Sequence, residues 1–65
     1  MKLKKMREEK NISQKEIAEM LGITQQAYSR IELGQAKPSL LKAKDIADFF
    51  NVSIEEIFFE NKYNR

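Results

Sequence analysis

The sequence predicts an all-α fold of five short helices, and three kinds of signal predict it. Apolar residues recur at spacings of three and four. Ser13 and Ser53 are each followed three residues later by a glutamate, the signature of a capping box. Asn11, Gly22, Gly34, Pro38 and Asn51 punctuate the chain at helix-sized intervals. No segment demands a sheet.

The elements follow in order. Residues 2 to 10 are good helix formers, with Leu3, Met6 and the stem of Lys10 on one side and Asn11 as the stop. The Ser13/Glu16 box starts a second helix at Gln14, with Ile17, Ala18 and Leu21 as its inward stripe. Gly22 suits a left-handed C-terminal position, where a β-carbon is penalised. Thr24 caps a third helix, Gln25 to Leu33, which Gly34 ends. Pro38 keeps Lys37 out of a helix, so residues 34–38 form a loop. Ser39 caps a fourth helix whose apolar face is Leu40, Ala43, Ile46, Ala47 and Phe50, stopped by Asn51. The Ser53/Glu56 box opens a short fifth helix through Ile54, Ile57 and Phe58. Phe59 to Arg65 show no clear period; coil, helix extension and short strand all stay open.

With 65 residues, one domain spanning 1–65 is expected, burying only about 60% of the surface its unfolded chain exposes. There is no cysteine or histidine, which removes disulfide and zinc staples and leaves helix packing or oligomerisation. No apolar run approaches the roughly 20 residues of a membrane span. The basic start, Met1 to Arg7, lacks the apolar segment of a secretory signal. A soluble cytoplasmic protein is the expectation. Charge is split along the chain: residues 1–44 hold ten Lys/Arg against five Asp/Glu, and residues 45–65 hold two against five. One surface facing a polyanion and another facing away would account for that split.

The basic part coincides with the second and third helices, residues 13–34, which read as a helix-turn-helix. Ala18 is small where the two helices must cross closely, and Gly22 supplies the positive φ of the turn. At 100° per residue, Ala27, Tyr28 and Ile31 point inward from the third helix. Gln25, Gln26, Ser29, Arg30 and Leu33 point outward, with no acid among them. Glutamine pairs bidentately with adenine and arginine with guanine, each worth ~1–3 kcal/mol of base discrimination. Gln25 and Gln26, nearest the helix start, are best placed for base edges. A solvated face would also carry Gln and Ser, but the other surface helices here use acids freely and this stripe uses none. Helix N-termini bind anions, so the backbone at Gln14 and the Ser39 cap are candidate phosphate contacts. Lys4, Lys5, Lys10, Lys15, Lys42 and Lys44 read as solvated charges. Lys37, in the loop that follows the third helix, is the favoured phosphate contact.

Residues 3 to 58 resemble the helix-turn-helix domain of the XRE family, the group containing phage Cro and CI repressors. The matching words are Ser13-Gln14 with Ile17-Ala18, then Leu21-Gly22-Ile23-Thr24-Gln25-Gln26. Ser29-Arg30-Ile31-Glu32 with Gly34, Lys37-Pro38-Ser39-Leu40, and Asn51-Val52-Ser53 with Glu56 complete the match. The resemblance implies a compact five-helix, lambda-repressor-like DNA-binding domain. It implies base reading by Gln25, Gln26 and Arg30, with Ser29 on base or phosphate. Gln14 would contact a phosphate or buttress a glutamine of the recognition helix, and Lys37 would track the sugar-phosphate chain. It also implies a structural salt bridge between Arg7 and Glu32. Leu33 departs from the polar residue often found at its position.

One recognition helix reads too few bases to find a site in a genome, so a homodimer on a two-fold operator is expected, with half-sites about 10 bp apart. Helices four and five with the tail, residues 39–65, are the expected dimerisation region. Phe49, Val52, Ile54, Phe58, Phe59 and Tyr63 are its apolar candidates, because two Phe pairs exceed what so small a core buries easily. An enzyme is not expected: there is no metal-ligand cluster and no glycine-rich phosphate loop, and nothing gathers around Asp45 and Asp48. Glu55 and Glu56 suit the first turn of a helix. No metal, cofactor or small-molecule ligand is expected. The reading is a sequence-specific regulator of transcription bound to double-stranded DNA, repressing by occlusion. Its control would come from its own concentration, a regulatory protein partner or proteolysis. An antitoxin, a controller of a restriction-modification operon, and a protein-interaction module of the same fold remain open.

Overall fold

The computed structural model describes residues 2–58. Five helices follow one another: α1 (Leu3–Glu9), α2 (Gln14–Leu21), α3 (Gln25–Glu32), α4 (Leu40–Phe50) and α5 (Ile54–Phe58). There is no strand among the described residues.

The helix starts are built from the local chemistry the sequence displays. Ser13 Oγ accepts from the Glu16 amide at 3.0 Å, and Glu16 Oε1 accepts from the Ser13 amide at 2.8 Å. Thr24 and Ser39 cap α3 and α4 through the amides of Ala27 and Lys42. Ser53 and Glu56 repeat the reciprocal pair at 3.0 and 3.2 Å ahead of α5. Such caps satisfy amides that a helix start leaves without a carbonyl partner, each worth about 1 kcal/mol.

The ends are equally local. After α1, α2, α3 and α4 the chain enters the left-handed region at Asn11, Gly22, Gly34 and Asn51. In each case the next amide reaches back five residues: Ile12 to Arg7, Ile23 to Ala18, Gln35 to Arg30 and Val52 to Ala47. This six-to-one closure reverses the chain within one residue. Two of the four ends use asparagine, the least penalised side chain at positive φ after glycine. Asn51→Ala is therefore expected to cost about 1 kcal/mol in urea unfolding, with Asn51→Gly within about 0.5 kcal/mol of the parent. A smaller loss for alanine than for glycine would show that the φ of 58° is not what Asn51 supplies.

Leu3, Ile17, Ala18, Leu21, Tyr28, Ile31, Ile46, Ala47, Phe50 and Ile57 form one buried cluster to which every helix contributes. α2 packs most closely on α3, and α4 on α5 and α2. Phe49 lies edge-on to Phe50 with centroids 4.9 Å apart, and Lys10 Nζ stands 5.7 Å over its ring. Phe49 is thus half-buried within its own chain rather than fully presented outward.

Two inward assignments are corrected. Ala27 is exposed, as are Thr24, Gln25 and Gln26, because the first turn of α3 stands clear of the other helices. Leu40 is 78% exposed. It lies on the correct side of α4, but periodicity gives a direction around the axis, not how far along the axis a partner extends. α3 also ends one residue early, with Leu33 as its C-cap rather than its last helical residue.

Candidate nucleic-acid interface

α2 and α3 are joined by only Gly22, Ile23 and Thr24. Gly22 takes φ 73°, so the chain turns sharply and Thr24 begins the next helix at once. Tyr28 and Ile31 anchor α3 in the core at 0% and 5% exposure. On the opposite side Gln25, Gln26 and Arg30 are exposed, Ser29 is half-buried, and Leu33 is 66% exposed. The helix therefore presents an amide-rich first turn and a cation one turn later, with no carboxylate between them. Lys37 and Ser39 are exposed in the segment that leads from α3 to α4. Ser39 Oγ accepts from the Lys42 amide and keeps its own proton to donate.

Beneath this surface lies a polar knot. Arg7 Nε donates to Glu32 Oε2 at 2.5 Å, and Arg7 Nη1 donates to the Ile12 carbonyl at 2.7 Å. Gln14 Nε2 donates to Glu32 Oε1 at 3.0 Å. The Arg7 and Glu32 side chains are 10% and 3% exposed, so the pair is shielded from solvent. Burial pushes the Glu32 carboxyl up, but hydrogen bonds led by Arg7 outweigh it and hold the group below its ordinary value. The bond to Glu32 likewise raises Arg7, against the opposing effect of burial. The Tyr28 hydroxyl is buried beside the same carboxylate without a hydrogen bond of good geometry. Burial, then the nearby Glu32, holds its pKa far above the ordinary value, so it stays protonated.

The knot explains how a glutamate is tolerated at the end of a helix that could face a polyanion: its charge is spent on Arg7 and Gln14. Gln14 has a further partner that the resemblance did not imply. It is half-buried and its amide is donated to Glu32, which fixes the side chain at the foot of α2.

Lys42 makes a contact behind this surface that sequence reasoning missed. Its ammonium does not end in solvent but donates to the Leu21 carbonyl at the end of α2, 2.5 Å away. No spacing rule could find it, since the partners are 21 residues apart. Lys44, by contrast, makes an exposed pair with Asp48 at 3.0 Å, of the kind that contributes little to stability. Of the apolar dimer candidates, Val52, Ile54 and Phe58 are half-buried against the core; Phe59 and Tyr63 lie outside the described residues.

A helix-turn-helix family model matches residues 3–57. An uncharacterised HTH-type transcriptional regulator of Methanocaldococcus jannaschii is 46% identical over 57 residues, spanning 88% of this chain and 86% of that protein. The HTH-type transcriptional activator BcrR of Enterococcus faecalis is 38% identical over 56 residues, 86% of this chain but 28% of its own length. The cryptic phage CTXphi transcriptional repressor RstR of Vibrio cholerae is 29% identical over 63 residues, 97% of this chain and 57% of its own length. No solved structure matches the chain significantly.

Proposed function

The chain belongs to the helix-turn-helix family of DNA-binding transcriptional regulators, and from that premise we propose that it reads a two-fold operator as a homodimer and represses by occlusion. The observation that carries the reading is the exposed first turn of α3. Gln25 and Gln26 stand free of the core, with Arg30 one turn later on the same face. Long donors and acceptors held on a rigid helix end are what the major groove selects for, since each base pair there shows its own donor and acceptor pattern. In this reading Gln25, Gln26 and Arg30 meet base edges and Ser29 meets base or phosphate. Lys37, Ser39 and the start of α2 at Gln14 meet the sugar-phosphate chain.

The dimer reading is supported by a mostly apolar groove of about 420 Å³, bordered by Ala36, Pro38, Leu40, Ala43, Ile54 and Phe58, with Lys37 at the same groove. Leu40, in its wall, is 78% exposed, and its neighbour in sequence Leu41 is 68% exposed. A second copy placed there would cover Leu40, Ile54 and Phe58. Repression by occlusion needs only occupancy of a promoter, which one domain of this size supplies. The protein would act in the cytoplasm, where such operators lie.

Selection of bound duplexes from a random pool tests the reading. Enriched sequences should contain two related half-sites about 10 bp apart, centre to centre. Random duplex binding as tightly as the selected one at physiological salt would sink it. Leu40→Glu tests the dimer. A carboxylate in the first turn of α4 suits the helix dipole, so the fold should hold while sedimentation shows a monomer. A dimer persisting in Leu40→Glu would place the interface elsewhere.

A further inference from the structure

We propose that Lys42 is a positioning residue for DNA recognition, aiming α3 by clamping the end of α2; this rests on the DNA-reading function proposed above. The clamp has a specific geometry. At the end of α2 the Ala18 and Glu19 carbonyls are taken by the Ile23 and Gly22 amides. The Leu21 carbonyl, at the negative end of the helix, accepts instead from Lys42 Nζ. Lys42 is itself held, because its amide donates to the Ser39 cap at 3.1 Å. A β-carbon built on Gly22 would stand 3.9 Å from the ammonium, which places the cation directly against the turn.

This clamp acts on recognition because the start of α3, Thr24 to Ala27, is exposed. Two things orient it: the Tyr28 and Ile31 anchors behind, and the short turn in front. Ile23 packs against the core, and its amide donates to the Ala18 carbonyl. The Lys42 bond adds a hold on the Leu21 carbonyl just before it, and loss of that hold should loosen the turn that carries Gln25 and Gln26. With its ammonium committed to Leu21, Lys42 is also set apart from lysines that neutralise phosphate. Its charge remains, but turned toward Leu21 it should make no direct phosphate contact.

Lys42→Met keeps the stem and removes the donor. At a temperature well below its unfolding midpoint, its Kd for the selected operator is expected to rise about five- to tenfold, less than the full effect of one charged hydrogen bond because the loss reaches DNA only through the aim of α3. Its Kd for random duplex should change far less, and the slope of log K against log salt by well under one. Lys42→Arg, which restores a cationic donor, should recover most of the operator affinity. Lys42→Gln, too short to reach the carbonyl, is the second variant should methionine prevent folding, with the same outcome expected. Unchanged operator affinity in the folded variant overturns the proposal, leaving Lys42 purely structural. A slope smaller by about one also overturns it, by making Lys42 a phosphate contact. If the parent prefers no sequence, the DNA-reading function fails first, before any variant is compared.

Discussion

Arg7→Met is expected to destabilise the fold by about 3–5 kcal/mol at neutral pH. A domain of this length has a total stability of only about 3–10 kcal/mol, so much of the population should unfold. The cause is the charge left behind. Glu32 is 3% exposed, and without Arg7 it retains Gln14 as its hydrogen-bond donor, with no compensating cation. The pH dependence separates this cause from lost packing. In the parent, Glu32 titrates below its unfolded value, so its contribution is full above the ordinary carboxylate range. That contribution is lost as pH falls through the depressed folded value. In the variant, burial is opposed only by Gln14 and the Tyr28 hydroxyl and is expected to push the folded pKa above the unfolded one. The penalty should therefore shrink as pH drops to about 4, near the ordinary glutamate value. Urea unfolding at pH 7 and pH 4 measures it. An equal penalty at both would trace the loss to packing or to the bond with the Ile12 carbonyl. Arg7→Met combined with Glu32→Gln should be more stable at pH 7 than Arg7→Met alone, because the stranded charge is gone.

Arg30→Ala is expected to leave the fold intact and to weaken operator binding about tenfold to a hundredfold per half-site, or ~1–3 kcal/mol. A two-fold complex carries the change twice, so the full loss is about 2–6 kcal/mol. Arg30 is exposed, which is why stability should not move. The loss should fall on one base-pair position of each half-site, where the variant no longer discriminates. Lys37→Ala should instead weaken all duplexes alike and reduce the salt slope by about one. A loss of equal size on every operator variant for Arg30→Ala would assign it to a phosphate.

These two residues mark the boundary of what the sequence displays. Helix starts at Ser13, Thr24, Ser39 and Ser53, and ends at Asn11, Gly22, Gly34 and Asn51, were all legible. Each is decided by bonds spanning three to five residues. The outward face of α3 was legible too, because a period of 3.6 assigns a direction around a helix to every side chain. Ala27 and Leu40 were misplaced for one reason: both lie on an inward-pointing direction in the first turn of a helix, past the reach of its neighbours.

By itself, then, the sequence determined the five helices, their caps, and the amide-and-arginine face that a groove could read. Tertiary structure alone decided which polar groups meet. Arg7 and Glu32 are 25 residues apart, Gln14 and Glu32 18, and Lys42 and Leu21 21. The last two contacts have no local pattern and no resemblance to announce them. Their physical basis is shared. A hydrogen bond within a turn follows from φ and ψ, whereas one between helices exists only after packing has set the distance between their axes.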